Sequence, residues 1–145
     1  MAHRVELKIS SDPCWLPMVR AMMEQICCEA GFAEEDRVDI TIAVDEALSN
    51  VVRHSYNGNP DGEIKLRWTA DGGCLEILMS DHGQPVDPKR VKPQPPDEFR
   101  LAGRGALLIH ATMDEVEYRR ADGTNSLRLR KYLKPRTGSS YDQKD

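Results

Sequence analysis

No run of apolar residues in this chain is long enough to span a bilayer as a helix, which takes about 20 residues. No membrane-spanning segment is therefore expected. The N-terminus, MAHRVELKIS, lacks the apolar stretch of a secretory signal, and the expected compartment is the cytoplasm. Cysteine is scarce and badly spaced for chemistry. Cys14, Cys27, Cys28 and Cys74 form no CxxC pair and no set with histidine, which argues against a disulfide framework or a zinc site. Buried or half-buried free thiols are the expectation. Basic excess is missing too. Twenty Lys and Arg stand against 24 Asp and Glu, a net charge of −4, so neither direct nucleic-acid binding nor membrane association is expected. There is no internal repeat.

What the chain does have is 145 residues, 30% of them charged, enough for one domain with its own core. HRVELKIS alternates Val5, Leu7 and Ile9 on one face, as a half-buried strand does. SDP then opens a helix, with Ser11 or Asp12 as cap and Pro13 in the first turn. That helix reaches to about Gly31 on a stripe of Leu16, Val19, Met22, Met23 and Ile26. A second helix starts near AEEDRVDI, its first turn rich in acid as the helix dipole favours. It carries Val38, Ile42, Leu48, Val51 and Val52 and stops before the loop YNGNPDGE. Two strands, EIKLRWTA and CLEILMS, form a hairpin through ADGG. Residues 81–102 are polar and proline-rich. A short helix, GRGALLIHATM, precedes a last hairpin of DEVEYRRA and NSLRLRKYL. Residues 134–145 read as a disordered tail.

Adjacent hairpins require a mostly antiparallel sheet, and the helices must cover one face of it. The fold class is α/β (α+β): a two-layer sandwich of a mostly antiparallel mixed sheet and about three helices. Against that plan the long segment 81–102 stands out, because structureless stretches of that length inside a domain tend to carry function or be disordered.

Three local patterns carry candidate chemistry. In DEALSNVVRHSY, Glu46, Asn50 and His54 recur every four residues and share one helical stripe, which taken alone is also how a solvated helix face reads. At the exit of a strand, LMSDHGQP puts a carboxylate, Asp81, two residues before Gly83. The carboxylate can accept from an exocyclic amine and the glycine permits close approach of a flat ligand, or the pair can simply form a turn. In AGRGALLI, Gly103 and Gly105 flank Arg104 at a helix start. Backbone N–H groups and a cation attract phosphate there, unless the glycines merely begin a helix.

Together and in this order, EALSNVVRHSY, DHGQP and GRGALLIHATMDEV resemble the ATP-binding domain shared by gyrase-type ATPases, Hsp90, histidine kinases and MutL, the Bergerat-type fold. The short form, with MDEVEY leading into the last hairpin, is most similar to the bacterial anti-sigma factor serine/threonine kinases. The resemblance covers roughly residues 4–133, so the expected domain is 1–133.

The resemblance implies an enzyme using ATP and magnesium (Mg2+). Asn50 would hold the metal against the phosphates and Glu46 would act as general base, with His54 supporting the helix end. Asp81 would accept from adenine and Gly83 would let the base lie close. Gly103, Arg104 and Gly105 would shape the phosphate end of a lid over about 85–102, stiffened by Pro88, Pro93, Pro95 and Pro96. The implied reaction moves the γ-phosphoryl group to a serine or threonine of an anti-anti-sigma-type protein. The implied partners are that protein, a sigma factor held by partner switching, and a second copy of the chain in a homodimer. A different class also fits the residues: a nucleotide-binding anti-sigma or partner-switching module with little kinase activity. A metal-dependent hydrolase built on Glu46 and His54 is a weaker reading, because no further ligand sits at suitable spacing.

Overall fold

The computed structural model describes residues 2–87 and 104–134 of the chain, and for Arg104 the backbone alone. Gly103, the Arg104 side chain, the lid expected over 85–102 from residue 88 onward, and the tail from residue 135 lie outside the described residues.

Strand β1 (His3–Ser10) is followed by a 3-10 turn (Pro13–Trp15), α1 (Leu16–Glu29) and α2 (Glu34–Asn50). A π-helical turn (Val51–Ser55) extends α2. The hairpin β2 (Glu63–Asp71) and β3 (Cys74–Asp81) comes next, then α3 (Arg104–Thr112), β4 (Glu115–Ala121) and β5 (Thr124–Tyr132). The five strands form one sheet in the order β1-β2-β3-β5-β4, and all four pairings are antiparallel.

Register follows the alternation of side chains. Val5, Leu7 and Ile9 stand opposite Trp68, Leu66 and Ile64. β1 is an edge strand, so its apolar face is only partly covered, whereas Ile64, Leu66 and Trp68 are fully buried. On β3, Leu75, Ile77 and Met79 continue the same inward face, and Asp81 is the next residue on it.

The helices form the second layer, with α2 packed between α1 and α3. Asp12, not Ser11, caps the first turn, its carboxylate accepting from Cys14 N at 2.9 Å. Ser11 ties down the loop before β2 instead. Its hydroxyl donates to Asn59 O at 2.6 Å and accepts from Gly62 N at 2.9 Å. On α1, Val19, Met23 and Cys27 are the buried line, with Leu16, Met22 and Ile26 partly covered. The Trp68 indole N–H meets the Met23 sulfur at 2.8 Å. Burial pushes the Cys27 thiol up to about 12, while Cys14 and Cys28 are exposed rather than half-buried.

On α2 the inward face differs from the simple reading. Ile40, Ala43, Val44, Ala47 and Leu48 are buried, while Val38 and Ile42 are 49% and 43% exposed. The inner line thus mixes small Ala43 and Ala47 with the larger Ile40, Val44 and Leu48, and the Val38–Ile42 line turns outward.

Candidate active site

The sheet, α2 and α3 leave a cleft at the C-terminal end of α2. It holds about 630 Å³ of empty space, partly open to solvent. Its walls are apolar: Met79 and Leu127 from the sheet, Ile109 from α3, and Val86. Concave, apolar sites with a few convergent polar groups are how proteins bind flat organic ligands.

Three of the residues singled out in the sequence meet where Asn50 lines this cleft. Glu46 and Asn50 lie one turn apart on α2. A Cβ placed on Gly105, in the first turn of α3, would sit 2.8 Å from Glu46 Oε2 and 3.6 Å from Asn50 Nδ2. The absence of a side chain at Gly105 thus lets the start of α3 close against that acid and amide. Asn50 Oδ1 accepts from Arg53 Nη2 at 3.3 Å, a long bond that a stronger ligand can displace.

The π-helical turn comes directly after Asn50. A π-turn adds a residue to the helical repeat. With Ala47, the residues Asn50, Val51, His54 and Ser55 line the cleft at the i, i+3, i+4, i+7, i+8 spacing of one helical face. His54 therefore belongs to the wall.

Asp81 also lines the cleft and is 3% exposed. Its Oδ1 accepts from Gly83 N at 3.0 Å and from Asn125 Nδ2 at 2.8 Å. Gly83 is needed for a reason the sequence does not state. A Cβ there would fall 2.3 Å from the backbone oxygen of Ser55, so the glycine lets the exit of β3 lie on the π-helical turn. Gln84 N donates to that same Ser55 oxygen at 2.7 Å. Tyr56 fastens the other side. Its hydroxyl donates to Glu63 O at 2.5 Å and accepts from His82 N at 2.9 Å. The His82 ring lies 3.2 Å from the Thr124 hydroxyl, away from the residues that line the cleft.

Sequence reasoning missed Ser55, Tyr118 and Asn125, all of which line the cleft. The signal for Asn125 was present: it shares the inward face of β5 with Leu127 and Leu129, where an amide requires partners. Ser55 continues the helical face of Ala47 and Val51, but a small hydroxyl there carries no chemical signal of its own.

The residues fit a nucleotide with a metal-bound phosphate tail. The Ser55 hydroxyl is buried on the cleft wall with no hydrogen-bond partner among the described residues, the state expected of a group that meets a ligand or water. Asp81 supplies a buried acceptor between apolar walls. Among the described residues no three His, Cys, Asp or Glu side chains gather as a metal site. A cation beside Asn50 would thus draw its other ligands from phosphate and water, as magnesium does.

The model of the histidine kinase-like ATPase domain matches residues 9–131. The serine-protein kinase RsbW of Bacillus velezensis is 30% identical over 137 residues, 89% of this chain and 85% of that one. RsbW of Listeria monocytogenes is 30% identical over 141 residues, 92% of this chain and 89% of its own. Among solved structures, the RsbU and RsbW domains of a Mycobacterium tuberculosis protein superpose with a TM-score of 0.68 at 20% identity, covering 90% of this chain and 32% of that one. The histidine kinase domain of a blue-light activated kinase from Erythrobacter litoralis gives 0.56 at 17%, over 83% and 60%.

Proposed function

The chain belongs to the histidine kinase-like ATPase family and, within it, to the RsbW serine-protein kinases, and from that membership we propose an ATP-dependent anti-sigma factor serine/threonine kinase. It phosphorylates an anti-anti-sigma-type protein and regulates a sigma factor by partner switching. The observation that carries this reading is the meeting of Glu46 and Gly105 beside Asn50, on the wall of a cleft that the buried Asp81 also lines.

Each residue then has a task. Asp81 accepts from the exocyclic amine of adenine, and Met79, Ile109 and Leu127 clasp the ring. Asn50 Oδ1 would hold magnesium, a hard cation that suits a neutral oxygen ligand. When bound, magnesium neutralises charge on the phosphoryl group in flight. Glu46 accepts the hydroxyl proton of the partner's serine or threonine as that oxygen bonds to the γ-phosphorus and ADP departs. The N-terminus of α3, with Gly103, Arg104 and Gly105, supplies backbone N–H groups to the phosphates. The cytoplasm is the proposed location. No helix among the described residues is long and apolar enough to cross a membrane. A homodimer is the proposed assembly.

Calorimetry of ATP binding with and without magnesium, on the wild type and Asn50→Ala, tests the cleft. Magnesium-dependent binding that Asn50→Ala loses is the expected outcome; no binding to the wild type would refute the reading. Glu46→Ala tests the chemistry. Transfer to an anti-anti-sigma protein should fall about 100-fold or more while ATP affinity stays within about twofold. Unchanged turnover in that variant would overturn Glu46 as the base, and absence of transfer by the wild type would leave a nucleotide-binding switch.

A further inference from the structure

Asn125 opens the inward face of β5 and is 2% exposed. A buried amide is costly unless both of its ends are paired. Here both are. Its Nδ2 donates to Asp81 Oδ1 at 2.8 Å and to Gln84 O at 2.8 Å. Its Oδ1 accepts from the Tyr118 hydroxyl at 2.6 Å and from Arg120 Nη1 at 2.7 Å. A guanidinium only donates, so Arg120 fixes which way the amide points and keeps its NH2 toward Asp81.

The same side chains hold the backbone that follows Asp81. Arg120 Nη1 also donates to Gly83 O at 3.1 Å, and Val86 N donates to the Tyr118 hydroxyl at 3.3 Å. Together with Asn125 on Gln84 O, they secure residues 83–86 against the sheet. Asp81 therefore has Oδ1 committed twice, to Asn125 and to Gly83 N, and Oδ2 takes no donor among the described residues. The carboxylate cannot rotate without breaking a bond to a neighbour that is itself fully paired.

We propose that Asn125, clamped by Tyr118 and Arg120, is a positioning residue that holds the free oxygen of Asp81 toward the ligand and so sets discrimination between 6-amino and 6-oxo purines. This rests on the nucleotide reading above. A 6-amino purine offers Asp81 an N–H. A 6-oxo purine offers an oxygen at the same place, and two acceptors repel. Discrimination of this kind requires the acceptor to stay in place, because a carboxylate free to swing can relieve the repulsion or turn to water.

Binding of ADP and of inosine diphosphate (IDP), measured on the full chain, tests this. Three proteins are compared: wild type, Asn125→Leu, and the double variant Tyr118→Phe/Arg120→Met, which spares the buried amide. Thermal unfolding of each verifies the fold, and the double variant decides if Asn125→Leu does not fold. The wild type should favour ADP by about 10-fold or more, the effect of one hydrogen bond to a charged group. The ADP/IDP ratio should drop at least about fivefold in each folded variant. A merely structural role would weaken both nucleotides equally, and an unchanged ratio in the variants would overturn the proposal while the nucleotide reading stands. A wild type that binds neither nucleotide would overturn both.

Discussion

Gly105 is where a single hydrogen atom in place of a side chain has the largest chemical consequence. The added Cβ of alanine would press on Glu46 Oε2, the end of a flexible side chain, at 2.8 Å. The acid would move, not the backbone. Alanine also favours helix over glycine by up to about 1 kcal/mol, so stability should hold or rise slightly. Gly105→Ala should therefore cut phosphoryl transfer by about tenfold or more through a displaced base, with a melting temperature at or above that of the wild type. Rate measurement beside thermal unfolding separates the two; an undiminished rate would mean that Glu46 does not act from this position.

At the scale of elements, the decisive contact is between the π-helical turn and the exit of β3. Gly83 meets the Ser55 backbone, and backbone has little freedom to yield at 2.3 Å. Gly83→Ala should destabilise the fold by about 3 kcal/mol, as overpacking against rigid neighbours does. It should also abolish nucleotide binding, since Asp81 and Ser55 would be forced apart. A chemical denaturation curve and a binding isotherm check both. A variant of native stability would show that this contact is looser than its geometry. The contrast with Gly105 is instructive: two glycines flank one cleft, yet one borders a movable side chain and the other a fixed peptide.

The whole molecule is a five-stranded sheet with helices on one side, and the cleft lies where α2, α3 and the inner face of the sheet converge. A ligand there bridges elements far apart in sequence, from Asn50 to Asn125, so it should stabilise the domain as a unit. With magnesium and ADP at about 100 times the dissociation constant, linkage adds about 2.7 kcal/mol. For a domain near this size that raises the melting temperature by roughly 5–10 °C. Differential scanning calorimetry measures it, and Asn50→Ala should shrink the shift. No shift in the wild type would mean that the cleft is not the nucleotide site.

Much of this was legible in the chain itself. Alternation in HRVELKIS and CLEILMS specifies strands and their inward faces, because side chains along a strand point alternately to opposite sides. The four-residue recurrence of Glu46 and Asn50 puts them on one helical stripe, and hairpin turns dictate antiparallel pairing. Those are local rules; they align Glu46 with Asn50, and the resemblance of the three motifs supplied the candidate roles. Tertiary structure decided the rest. Which face of α2 turns inward was decided by packing against its neighbours, which buried Ile40, Ala43, Val44, Ala47 and Leu48 and left Val38 and Ile42 exposed. The reason Gly83 must be glycine lay in Ser55, 28 positions earlier. Asn125 became part of the site only when β5 paired with β3 and brought its amide to Asp81. Periodicity fixes which way a side chain points along its own element; what it meets there is set by packing between elements, which no local pattern encodes.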